Sequence, residues 1–117
     1  MSAAHLHDYP SVGLTFAGAL ARRDYPAAYA ITSGEYRRST TMAEMQAAFE
    51  AIVPPDWPTV GPVEVGLTME TWPGKQPADV GWAYVSIGGD AYSEAVIVVV
   101  ALEKETLKIR TVEFGRP

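Results

Sequence analysis

The feature that most narrows what this chain can become is the proline-rich bend Val53-Pro54-Pro55-Asp56-Trp57-Pro58, because the apolar residues change period across it. Before the bend they recur at helical intervals, and after it they alternate with polar ones. From Ser11 onward Val12, Phe16, Ala19 and Leu20 form one helical stripe, and Arg22-Arg23 put positive charge where a helix C-terminus favours it. Asp24 fits the N-cap of a short second helix with Pro26 in its first turn and Gly34 as its left-handed stop. Tyr25, Ala28, Tyr29 and Ile31 supply the buried side of that helix. Thr41-Met42-Ala43-Glu44 is a capping box, and Met42, Met45, Phe49 and Ile52 carry a third helix that Pro54-Pro55 must end. A methionine stripe at this spacing reads as core, since Met fills irregular gaps.

Beyond the bend Val63, Val65, Leu67 and Met69 alternate with Glu64, Gly66, Thr68 and Glu70, the pattern of a half-buried strand. Pro73-Gly74-Lys75-Gln76-Pro77 is a loop, Ala78 to Ile87 a second strand, Gly88-Gly89-Asp90 a hairpin turn, and Ala91 to Leu102 a third strand. Ala95 to Ala101 is apolar on both faces, which places that strand centrally. Glu103 to Thr106 turns the chain into a fourth strand, Leu107 to Phe114. Three helices followed by four antiparallel strands predict an α+β domain with the helices on one face of a curved sheet. No internal repeat or linker interrupts residues 1–117, and residues 1–10 are expected to be a flexible tail.

Composition excludes several classes of function. A chain of 117 residues with 48% hydrophobic content should leave roughly 6,200 Å² exposed of roughly 18,000 Å² in the open chain, enough burial for one core. The absence of cysteine removes disulfides, thiolate nucleophiles and Cys-ligated metals. Fourteen acidic against nine basic residues, net −5, argue against nucleic acid or an anionic membrane surface as a partner. The opening Met1-Ser2-Ala3-Ala4-His5-Leu6-His7-Asp8 lacks the pattern of an export signal, so a cytoplasmic address is expected. The longest apolar run, Ala95 to Leu102, is too short for a membrane helix. No phosphate loop, Gly-x-Ser-x-Gly elbow or His-Glu-x-x-His motif is present.

The order of elements resembles the nuclear transport factor two-like superfamily, a cone of three helices against a strongly bent antiparallel sheet. The passages that carry the resemblance are Phe16 to Tyr29, Thr41 to Ala51 and the hairpin of long strands from Val80 to Leu102. Members include ketosteroid isomerases, dehydratases, polyketide cyclases, transport adaptors, association domains and immunity proteins. The enzymes among them work in the cone with a buried Asp and Tyr or His partners. In this chain the opening helix offers Leu14 and Phe16 instead, and Asp24, Asp56, Asp79 and Asp90 fall at caps, strand starts or turns. No catalytic residue of that superfamily transfers to a matching position.

The remaining candidates are surfaces. His5-Leu6-His7-Asp8 alternates as a metal site would but has no third anchored ligand, so it reads as a solvated terminus and no metal is expected. A three-residue turn pairing Ile87 with Ala91 would gather Trp82, Tyr84, Tyr92, Glu94, Val96 and Val98 on one face, an aromatic wall with one carboxylate. Trp57 and Trp72, set among prolines, read as packing residues, and Arg37-Arg38 with Ser39, Thr40 and Thr41 as capping plus solvated charge. The expected function is a noncatalytic binding or assembly module without cofactor, a homodimer through one sheet face. It would hold a small apolar ligand or a protein partner through Tyr29, Trp82, Tyr84, Tyr92 and Glu94. The alternative is a cofactor-independent isomerase, dehydratase or cyclase with Glu94 or Glu70 as base and Tyr29, Tyr84 or Tyr92 as donor. A third reading is an immunity or adaptor protein whose acidic surface meets a basic partner.

Overall fold

The computed structural model describes residues 6–57, 60–89 and 93–115. A single turn at Leu6–Asp8 leads into helix α1, Tyr9–Ala21, followed by α2, Tyr25–Ala30, α3, Gly34–Ser39, and α4, Met42–Ile52. The strands are β1, Val63–Met69, β2, Asp79–Gly88, β3, Ser93–Glu103, and β4, Thr106–Phe114, in one antiparallel sheet of order β1-β2-β3-β4. The α+β architecture with an open sheet is therefore the one the change of period predicts. Helix α1 lies across all four strands.

Two of the caps legible in the sequence are formed. The Asp24 carboxylate accepts from Ala27 N, and Thr41 and Glu44 complete a reciprocal capping box. Gly34 differs from its expected role. It opens a fourth helix, α3, whose N-cap is Ser33, with its hydroxyl accepting from Tyr36 N at 3.1 Å. Segment 31–33 leaves α2 to pair with the outer edge of β4, Ile109 N donating to Ile31 O and Ser33 N to Ile109 O. That pairing satisfies backbone groups between α2 and α3 and covers an edge that would otherwise be open. The start of α1 also lies earlier than the apolar stripe suggests. Pro10 occupies its first turn and Tyr9 is only 4% exposed, so residues expected in a loose tail belong to the packed structure.

The layer between helices and sheet is filled by Phe16, Leu20, Met45 and Phe49 from the helices and by Val85, Ile87, Val96, Val98 and Ile109 from the strands, all fully buried. Close approach of α1 depends on glycine. A Cβ on Gly13 would crowd Val98, and one on Gly81 would overlap the Tyr9 ring. Arg23, in the left-handed region with φ 62°, ends α1 and donates to the carbonyls of Val53 at 3.0 Å and Pro54 at 2.9 Å. One guanidinium thereby satisfies the C-terminus of α4 and fixes the proline bend.

Each of three strands carries one extra residue at a bulge, Gly66 in β1, Val80 in β2 and Arg110 in β4. Bulges increase local twist and bend, which curves the sheet around α1. Gly81→Ala is expected to lower stability by about 2 kcal/mol in urea unfolding, because the new methyl displaces Tyr9 from its seat. A loss below a few tenths would show that the ring does not need that space.

Candidate functional site

The side to which each candidate residue points is set by strand register. In β2 and β3, Val85 faces Val96, Ala83 faces Val98 and Ile87 faces Glu94. Gly88 pairs with Ser93, so four residues, 89–92, connect the strands, of which 90–92 lie outside the described residues. The expected three-residue turn and its Ile87–Ala91 pairing are thus corrected. Ile87 pairs with Glu94 and not Ala91, a displacement of three residues, and any odd displacement reverses which side chains share a face.

Trp82 and Tyr84 consequently stand opposite Val99 and Ile97 on the face turned away from the helices. Glu94 shares the helix-side row with Val96 and Val98, at the end where β3 begins, and is half-buried. Glu94 and Tyr84, paired in the enzymatic alternative, therefore lie on opposite sides of the sheet. Tyr92 lies outside the described residues, as does His5. The His7 side chain is 82% exposed with Nε2 3.7 Å from Asp8, and no cluster of three or more metal-ligating side chains occurs among the described residues.

Tyr29 serves a separate junction. Its hydroxyl donates to Thr40 O at 2.7 Å, its ring meets Tyr36 edge-on at 6.5 Å, and Arg37 lies over it at 5.6 Å. Arg37 also donates to Ala30 O and Thr32 Oγ1, so it braces α2 against α3. Trp57 packs against the core, and Trp72 carries Lys75 over its ring.

The outer face has two parts. At its middle, Trp82, Tyr84, Ile97 and Val99 are joined by Leu67 and Met69, which face Tyr84 and Trp82 across β1 and β2. Leu67 is 56% exposed, the most open of the large apolar side chains among the described residues. At one end, the bulges bring Asp79 and Arg110 together across β3. Arg110 Nε and Nη2 reach the two Asp79 oxygens at 2.6 and 2.7 Å, and Gln76 N donates to Asp79 Oδ2 at 2.8 Å. Glu35 of α3 approaches the same guanidinium at 3.5 Å. The Asp79 side chain is 0% exposed, and its hydrogen bonds to Arg110 hold that guanidinium's pKa above the usual value.

Next to this ion pair opens a cleft of about 540 Å³, walled by the Leu6–Tyr9 segment, the β1–β2 loop and the start of β2. Its lining includes Glu70, which the enzymatic alternative names as a base, and Tyr9 and Lys75, which the sequence reading did not single out. Pro10 in the first turn was the available signal for Tyr9, since proline favours the start of a helix. No family model matches the chain, and comparisons with curated proteins and with solved structures return no match. Among the described residues no helix is long and apolar enough to cross a membrane.

Asp79→Asn is expected to cost about 3 kcal/mol in chemical denaturation, because it leaves the largely buried Arg110 charge with only the exposed Glu35 as a counter-charge. Pairing it with Arg110→Met should recover part of that loss, and simple additivity would refute the coupling. Burial is the largest influence raising both Tyr25, whose hydroxyl donates to Glu50 at 2.8 Å, and Tyr36 above 10.0. The folded state favours their neutral forms, so their contribution to stability is complete below pH 10 and lost as pH rises through the raised values. An absorbance titration of the six tyrosines should show at least two ionising late. All six ionising together near 10 would contradict the burial.

Proposed function

We propose that this chain is a noncatalytic assembly module that pairs with a second copy of itself through the outer face of its sheet. The observation that carries the reading is the β2–β3 register, which turns Trp82 and Tyr84 outward beside Leu67 and Met69. Aromatic side chains combine large apolar area with a polar tip and lose little entropy when held, which suits them to the centre of an interface. The polar residues Glu64, Ser86, Thr111 and Glu113 share that face around the apolar patch and would form its rim. Two such sheets stacked about a two-fold axis present the same patch to each other, so one surface suffices for both partners. The element order also supports a place in the nuclear transport factor two-like class, as a member that works by association. Separation of Glu94 from Tyr84 favours this over the isomerase-type reading.

Sedimentation equilibrium at micromolar concentrations should give twice the 12.6 kDa chain mass. Leu67→Glu should return it to the monomer mass while circular dichroism stays unchanged, since a buried unpaired carboxylate opposes pairing. A wild-type monomer at high micromolar concentration, or a variant that still dimerises, overturns the proposal.

A further inference from the structure

The cleft beside the Asp79–Arg110 pair contains a polar group that the fold itself does not use. Tyr9 is 4% exposed, lines the cleft and has no hydrogen-bond partner among the described residues. Within that same set no fully buried side-chain oxygen or nitrogen lacks a partner, so the Tyr9 hydroxyl keeps some exposure, on a residue that lines the cleft. A phenol fixed by Gly81 and otherwise buried is a preorganised donor rather than a solvated one.

A second donor is fixed at the rim. Lys75 Nζ donates to Glu70 O at 2.6 Å and lies 5.5 Å from the centre of the Trp72 ring, and it has no ion-pair partner among the described residues. The negative groups of the cleft are less available. Both Asp79 oxygens are consumed by Arg110 and Gln76 N, and Glu70 is exposed with nothing among the described residues to hold its carboxylate. Leu6, Pro77, Val80 and Leu102 complete an apolar wall. The volume of about 540 Å³ is within the range of small-molecule sites.

We propose that this cleft binds a small carboxylic acid with a short apolar tail, its carboxylate held by the Lys75 ammonium and the Tyr9 hydroxyl. Such a ligand gives each fixed donor a charged acceptor, and charge-assisted bonds are the stronger kind. Its tail then covers Val80 and Leu102. An amine ligand would have to draw on Asp79, whose side chain is fully buried and already accepts three hydrogen bonds, or on the unanchored Glu70. The cleft shares no lining residue with the Trp82, Tyr84, Leu67 and Met69 patch, so its occupancy can be read apart from self-association.

The test is titration of the full chain with hexanoate, followed by amide chemical shifts, with hexylamine as the control of opposite charge. Saturable shifts centred on Tyr9, Lys75, Val80 and Leu102 are expected with hexanoate and not with hexylamine. Tyr9→Phe keeps the ring on Gly81 and removes only the hydroxyl, so it should weaken binding about tenfold, as should Lys75→Met. Absence of saturation at tens of millimolar, preference for hexylamine, or wild-type affinity retained in either variant overturns the proposal. Loss of self-association with hexanoate binding retained would count against the sheet-face reading alone.

Discussion

The pairing of β2 with β3 is the contact on which the rest of the structure depends. It sets Ala83, Val85 and Ile87 beside Val96 and Val98 in one continuous apolar row, and α1 crosses that row where Gly13 allows close approach. Side chains alternate along a strand, so a slip of one residue would send Val85 and Ile87 to the outside and bring Trp82 and Tyr84 under the helix. Neither ring would fit where Gly13 meets Val98. The same pairing fixes what the outside presents, and core and surface are thus two results of one alignment.

The polar part of the structure works by closing gaps that this alignment leaves. Bulges at Val80 and Arg110 shorten the reach between β2 and β4, and the Asp79–Arg110 pair joins the two strands across β3. Arg23 performs a similar service at the helical end, where it donates to the Val53 carbonyl and adds a second donor to the Pro54 carbonyl, which also accepts from Trp57 N. Both arginines use several donors at once, which a lysine could not reproduce. The cleft forms where the strand bridge and the first turn of α1 leave the sheet's end uncovered, and that location explains why a buried phenol and an ion pair meet there.

Much of this architecture was legible because it rests on local chemistry. The stripe from Val12 to Leu20, the Asp24 cap, the capping box at Thr41 and the alternation from Val63 to Met69 each encode their element within a few residues. Gly34 was ambiguous, since a glycine after a helix can stop it or follow a new cap, and Ser33 decided for the second. The β2–β3 phase could not be read, because Gly88-Gly89-Asp90 suits a tight turn while the strands resume only at Ser93. That is a matter of tertiary packing, in which the demand of Val85 and Ile87 for the core outweighs local turn preference. Tyr9 was missed for the opposite reason: the apolar stripe starts late, and only the position of Pro10 marks the true start of α1. Of the residues first considered for a site, Trp82 and Tyr84 remain together, whereas Tyr29 braces α2 and Glu94 faces the other way.

Strand register is directly measurable by nuclear Overhauser contacts between backbone protons of β2 and β3. This account predicts cross-strand contacts joining Val85 with Val96, Ala83 with Val98 and Ile87 with Glu94. Contacts joining Ile87 with Ala91 instead would exchange the two faces of the sheet and contradict it.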